Sequence, residues 1–204
     1  MNTEHDLTEP LQQALTVDPD HLRRLKEQLA SAAEADQLLD IAYRTIDTPI
    51  GNLLLAATET GLVRVAYTSE DHDLVLQSLS DRISPRILHH PARLDAAARE
   101  LGEYFAHRRR AFDLDLDWRL SAGFRATVLR HLSDIEYGHT ASYAMVAQLA
   151  GSPKAVRAVG SACATNPLPV IVPCHRVVKS DGSMGGYLGG LEAKATLLQL
   201  EAVA

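Results

Sequence analysis

The sequence predicts an α+β protein in two unlike halves: a small mixed α/β unit, then a mostly helical unit built around a helix-turn-helix. Three observations predict it. Residues 41–67 form short apolar or alternating runs separated by turn signals. From Ser121 onward the apolar positions recur at helical spacing. Between two of the later helical runs, Gly151-Ser152-Pro153 is a break short enough to fold one helix onto the next. The chain has 204 residues, 46% apolar and 23% charged, which is enough for a real core and excludes wholesale disorder.

Residues 1–40 read as an acidic helical appendage. They carry a net charge of −6, against −2 for 41–120 and +2 for 121–204. Pro10 and Asp18-Pro19-Asp20 interrupt them. A helix is expected from His21 to about Leu39, with Asp20 as its N-cap and Leu22, Leu25 and Leu29 on one face. Its expected role is a docking helix or a mobile tail. The polar N-terminus lacks a basic-then-apolar leader, no apolar run is long enough to span a membrane, and Cys163 and Cys174 cannot build a disulfide framework. The expected setting is a reducing cytoplasm, without membrane attachment.

The first unit spans 41–118. Ile41–Ile46, Leu53–Thr58 and Leu62–Tyr67 are expected strands of an antiparallel meander, separated by Asp47–Gly51 and Thr60-Gly61. Helices are expected near 71–82 and 93–107. Phe112–Trp118 alternates with Asp, as an edge strand would. His89, His90 and His107 read as surface residues.

The second unit spans 119–204. Phe124, Val128, Leu132 and Ile135 share a helical face, and Tyr137-Gly138-His139 ends that helix. Thr140 or Ser142 caps the next, which holds Tyr143, Val146 and Leu149. Lys154 to Ala164 forms the last, rich in small residues. A helix pair of this kind is a weak signal alone, because many packed helices look the same.

The stretch that carries chemistry is Asn166–Val178. Three prolines and five β-branched residues in thirteen positions exclude a helix interior and predict a rigid, extended, buried segment. Cys174-His175-Arg176 at its end is costly to bury unless the groups have work to do. A thiolate is a nucleophile and an imidazole can take its proton. Neighbouring side chains on a strand point apart, so a bend or a bridging water is required. A thiol protease draws its base from a distant part of the chain, so the adjacent pair disfavours one. Two cysteines in separate elements also lack the spacing of a zinc site.

Pro173-Cys174-His175-Arg176 resembles the active-site motif of the O6-alkylguanine-DNA alkyltransferases. Ser142-Tyr143, Arg157-Ala158-Val159-Gly160, Asn166-Pro167, Val177-Val178, Gly186-Tyr187-Leu188-Gly189-Gly190 and Lys194 stand in the family's order and spacing. The resemblance is densest over 121–201 and thinner over 41–118, where it implies a ribonuclease-H-like domain. It does not reach 1–40. It implies a DNA repair protein that flips O6-alkylguanine, and as a second candidate O4-alkylthymine, out of duplex DNA. The alkyl group then passes irreversibly to Cys174, once per molecule, with no cofactor and with the protein acting as a monomer.

The resemblance also assigns roles. Cys174 is the acceptor. His175 is its base through a water, oriented by Glu201, and Asn166 braces the turn. Tyr143 donates to the flipped guanine, and Arg157 fills the vacated stack. Gly160, Ser161 and their small neighbours Ala158 and Ala162 let the helix approach the minor groove. Tyr187, Gly185-Gly186 and Gly189-Gly190 line an alkyl pocket, the glycines supplying left-handed backbone and open space. Lys194 belongs to the substrate and DNA contacts. Arg176 ties the segment to carbonyls, and Cys163 is packing. Leu188, bulkier than the small residue expected there, would narrow the range of alkyl groups. The main alternative is a non-reactive alkylated-DNA-binding protein of the same fold. A helix-turn-helix regulator is disfavoured by having only Lys154 and Arg157 as basic residues in 151–175.

Overall fold

The computed structural model describes residues 18–202; Pro10 and the rest of 1–17 lie outside them. The first described element, α1 (Pro19–Ala35), begins two residues before the expected start. Asp18 is the cap, its side chain accepting from the Asp20 amide at 3.0 Å, and Pro19 occupies the first turn, where a missing N–H costs nothing. The Leu22–Leu25–Leu29 face does not dock: all three are exposed. The opposite face does. Ala30 is buried, Ala33 packs on the core, and Glu34 bonds His90 Nε2 at 2.8 Å and Arg93 Nε at 2.9 Å. His90 is thus an enclosed partner of α1 rather than a surface residue.

The expected meander forms. β1 (Ile41–Thr48), β2 (Gly51–Ala57) and β3 (Leu62–Tyr67) pair antiparallel in sequence order. A fourth strand, β4 (Ile87–His89), adds parallel to β1 and gives the order β3-β2-β1-β4. At three residues it was too short to show a period. α2 (His72–Arg82) precedes it and α3 (Asp95–Phe105) follows it. β2 is buried on both faces over Leu53–Ala57, which is why it reads as an apolar run. Leu54 and Ala56 face α2, while Leu53, Leu55 and Ala57 face the helical half of the chain in one continuous core.

Phe112–Trp118 is not an edge strand. It touches the sheet at one point, where Leu62 N donates to Asp115 O and Asp117 N to Leu62 O. Gly61 makes this approach possible: a Cβ there would sit 2.2 Å from the Asp115 carbonyl oxygen.

In the second half, α4 (Gly123–Leu132) buries Val128, Leu129 and Leu132, and ends earlier than the sequence suggested, in tight turns before Ile135. A two-residue strand β5 (Ala141–Ser142) leads into α5 (Tyr143–Leu149), capped by the Ser142 hydroxyl accepting from Met145 N at 3.1 Å. After the Gly151 turn comes α6 (Val156–Ala164). β6 (Val177–Val178) pairs parallel to β5, and α7 (Gly190–Ala202) closes the described chain. No described helix is long and apolar enough to cross a membrane.

Candidate active site

Residues 166–178 are buried throughout, as expected, but before Val177 and Val178 they turn instead of running extended. Asn166 folds them into a tight loop from inside. Its Oδ1 accepts from Leu168 N at 3.0 Å, and its Nδ2 donates to Val172 O at 2.8 Å and to Cys174 Sγ at 3.2 Å. Val170 at the loop's tip holds φ +72°, a conformation a β-branched residue adopts only when its surroundings impose it. Pro173 lies in an inverse γ-turn, closed by Cys174 N donating to Val172 O, and Cys174–Arg176 is one turn of 3₁₀ helix. Prolines forbid a helix interior; they do not forbid successive turns, and the fixed φ of Pro173 suits this one.

Burial pushes the Cys174 thiol up to about 11, against the Asn166 hydrogen bond and the Lys194 charge, which both favour the thiolate. At neutral pH the resting group is therefore a thiol, and a base must take its proton. His175 is completely enclosed and burial lowers its pKa, so the imidazole is neutral. Its Nε2 lies 2.9 Å from Glu201 Oε1. Burial would raise Glu201, but hydrogen bonds from His175, Arg176 and Tyr104 outweigh it and hold the carboxyl at about 2. An ionised carboxylate only accepts, so Nε2 carries the ring proton and Nδ1 the lone pair. Nδ1 is buried with no partner among the described residues. A neutral imidazole with its second nitrogen unprotonated is the form that can accept a proton.

Glu201 is not a frayed terminal charge. It is 3% exposed and receives Tyr104 Oη at 2.7 Å, Arg176 Nε and Nη2 at 2.9 Å, and the Gly138 amide at 3.3 Å. Arg176 reaches one carbonyl, Ile135 O, but its main partner is this carboxylate.

Tyr143, at the start of α5, keeps a phenol whose pKa is raised by burial and by the nearby thiols, so it remains a donor. It makes no hydrogen bond among the described residues. On α6 the outward face carries Arg157, Ala158, Ser161 and Ala164, while Val159, Ala162 and Cys163 point into the core. Arg157 is exposed and unpaired among the described residues, free to reach a partner.

Family profiles now settle the kinship. The 6-O-methylguanine DNA methyltransferase ribonuclease-like domain matches residues 41–118, and the DNA binding domain of the same family matches residues 123–203. The chain belongs to the 6-O-methylguanine DNA methyltransferase family. A methylated-DNA–protein-cysteine methyltransferase of Mycolicibacterium paratuberculosis is 40% identical over 161 residues, covering 79% of this chain and 92% of that one. The constitutive enzyme of Bacillus subtilis is 38% identical over 165 residues, covering 79% and 95%. A crystal structure of Mycobacterium tuberculosis OGT in complex with DNA superposes with a TM-score of 0.68 at 38% identity, covering 79% and 93%.

Within this family member, Cys174, His175, Glu201 and Asn166 are all buried, with Asn166 bonded to the Cys174 sulfur and His175 to the Glu201 carboxylate. Three expectations change. Lys194 is fully enclosed, its ammonium donating to Val177 O at 2.5 Å, so it braces the active-site segment from within and does not reach a DNA surface. Ala162 is buried and cannot line a groove. The glycines of 185–189 do not use left-handed backbone; only Gly190 does, at φ +86°. The space at two of them is already filled. A Cβ on Gly185 would lie 2.3 Å from the Tyr143 hydroxyl, and one on Gly189 would lie 2.5 Å from the Tyr67 ring. Sequence reasoning missed Tyr104 and Tyr67 entirely. A tyrosine on the apolar face of an amphipathic helix, as Tyr104 is, signals a buried hydroxyl in need of an acceptor, but not which acceptor.

Proposed function

We propose that this chain repairs duplex DNA by moving the alkyl group of a flipped O6-alkylguanine onto Cys174 Sγ. The observation that carries this reading is the neutral His175, its Nε2–H held by ionised Glu201 and its Nδ1 lone pair unengaged, beside a thiol that needs a base. The proton of Cys174 passes through a water to Nδ1. The thiolate attacks the alkyl carbon in line, the S–C bond forms, the C–O6 bond breaks, and its electron pair stays on the guanine. Tyr143 donates its phenol proton toward guanine N3 as that charge develops, the preorganised donor such a leaving group needs. The proton held by the imidazolium then returns, through solvent, to the Tyr143 phenolate, leaving a neutral guanine, a thioether and a neutral His175. Arg157 occupies the gap in the stack, with Ser161 and Gly160 beside the backbone.

No external reagent is consumed, and the thioether cannot be hydrolysed, so each molecule acts once, as a monomer in the cytoplasm. O4-alkylthymine presents the same kind of leaving group. The test is stoichiometry. With O6-methylguanine duplex in excess, lesion loss must plateau at one per protein and be abolished by Cys174→Ser. Continued turnover, or no loss with retained binding, contradicts the reading; the latter outcome describes a non-reactive damage binder.

A further inference from the structure

Tyr67 is the last residue of β3, in the half of the chain that carries no reacting group, yet it reaches the loop beside Cys174. Its hydroxyl lies 2.8 Å from that of Tyr187, with the rings edge-to-face at 5.9 Å. Tyr187 in turn stands edge-on to His175, centroids 6.4 Å apart. The Gly189 backbone rests on the Tyr67 ring so closely that any side chain there would enter it.

Tyr67 cannot easily yield. It is 3% exposed. Its amide donates to Glu70 Oε1 at 2.9 Å, and Glu70 pairs with Arg64. Two residues upstream, Val65 N donates to Pro167 O at 2.8 Å, so β3 is bonded directly to the loop that Asn166 folds around Cys174. Burial raises the phenol's pKa, in keeping with its enclosed position.

We propose that Tyr67 is the far wall of the alkyl pocket and limits the size of the group that Cys174 accepts. Tyr143 closes the near end of the 185–189 loop and Tyr67 the far end. The fixed ring, together with its hydroxyl tether on Tyr187, sets how far the loop can retreat from a bulky substituent. The inference rests on the proposed transfer to Cys174.

The test compares single-turnover rates on duplexes carrying O6-methylguanine and O6-benzylguanine, read by intact mass. Tyr67→Leu removes the ring and is expected to raise the benzyl-to-methyl rate ratio by about tenfold or more, the scale at which an apolar pocket discriminates size. Tyr67→Phe keeps the ring and the packing but releases Tyr187. It is expected to raise the ratio about fivefold, equivalent to one ordinary hydrogen bond. A ratio equal to wild type in the folded variants, whatever the absolute rates, overturns the inference. Wild-type protein that takes no methyl group overturns instead the function on which it rests.

Discussion

Tyr104 Oη donates to Glu201 Oε1 across 2.7 Å, tying the sheet-bearing half of the chain to the carboxylate that orients His175. The two residues are 97 apart in sequence, and both are buried. Tyr104→Phe keeps the ring and its aromatic neighbours Phe105 and Phe112. It is expected to cost about 1.5–3 kcal/mol, the usual worth of a hydrogen bond to a charged group. Alkyl transfer should slow as well, because the carboxylate loses one of its fixed donors. Urea unfolding and single-turnover rates check both; a stability loss with an unchanged rate would confine Tyr104 to packing.

Arg176→Met leaves Glu201 buried without its guanidinium. Removing one partner of an enclosed ion pair costs about 3–5 kcal/mol. The remaining donors to Glu201 are too few to hold its pKa near 2, so activity should also acquire a new acid limb. Thermal melting and a pH–rate profile report the two effects.

Arg157→Ala should slow transfer from duplex DNA while leaving transfer from the free base O6-benzylguanine unchanged. Arg157 is exposed, forms no hydrogen bond or salt bridge among the described residues and lies outside the Cys174 network. Equal losses on both substrates would mean that Arg157 shapes the pocket rather than the duplex. The salt slope of DNA binding should change by no more than about one.

Stability should have a plateau with losses on both sides. Glu201 is held at about 2 against a usual 4.5, so its contribution is complete above 4.5 and disappears as pH falls toward 2. His175 is kept neutral in the fold, while the unfolded chain takes up a proton below 6.5; stability therefore also falls as pH drops through that value. Cys174 and Cys163 are raised to about 11 and 12 from 9.0, so the unfolded chain ionises first and stability falls again above 9.0. Urea midpoints across this range check the shape, and Cys163→Ala should soften only the alkaline side.

Removing residues 1–36 deletes α1 with its Ala30 contact and its Glu34 bonds to His90 and Arg93. Stability should fall by about 1–3 kcal/mol, with the repair rate at moderate temperature unchanged. A lost repair rate in the folded truncation would place α1 in the reaction.

What could be read in the sequence followed from local chemistry. The meander announced itself through its turns, the helix pair through its spacing and its Gly151 break, and the reacting pair through the cost of burying Cys174-His175-Arg176. What could not be read depended on distant partners. Leu22, Leu25 and Leu29 formed the more apolar stripe of α1, yet Ala30 and Glu34 dock, because His90 and Arg93 wait opposite them. The prolines of 167–173 suggested an extended chain, yet Asn166 gathers them into turns with three side-chain hydrogen bonds. Glycines 185 and 189 read as open space and are instead covered by Tyr143 and Tyr67. Lys194 read as a cation for DNA and is spent on the Val177 carbonyl.

The most direct test of the central claim uses the two cysteines against each other. Both are buried and both are thiols at neutral pH, but only Cys174 has Asn166 at its sulfur and adjoins His175. After reaction with an O6-methylguanine duplex, intact and peptide mass should show a gain of about 14 Da, one thiol proton replaced by methyl. It should lie on the peptide holding Cys174, with none on Cys163, and should be lost in His175→Ala. A gain on Cys163, or no gain while the protein still binds the lesion, would contradict the account.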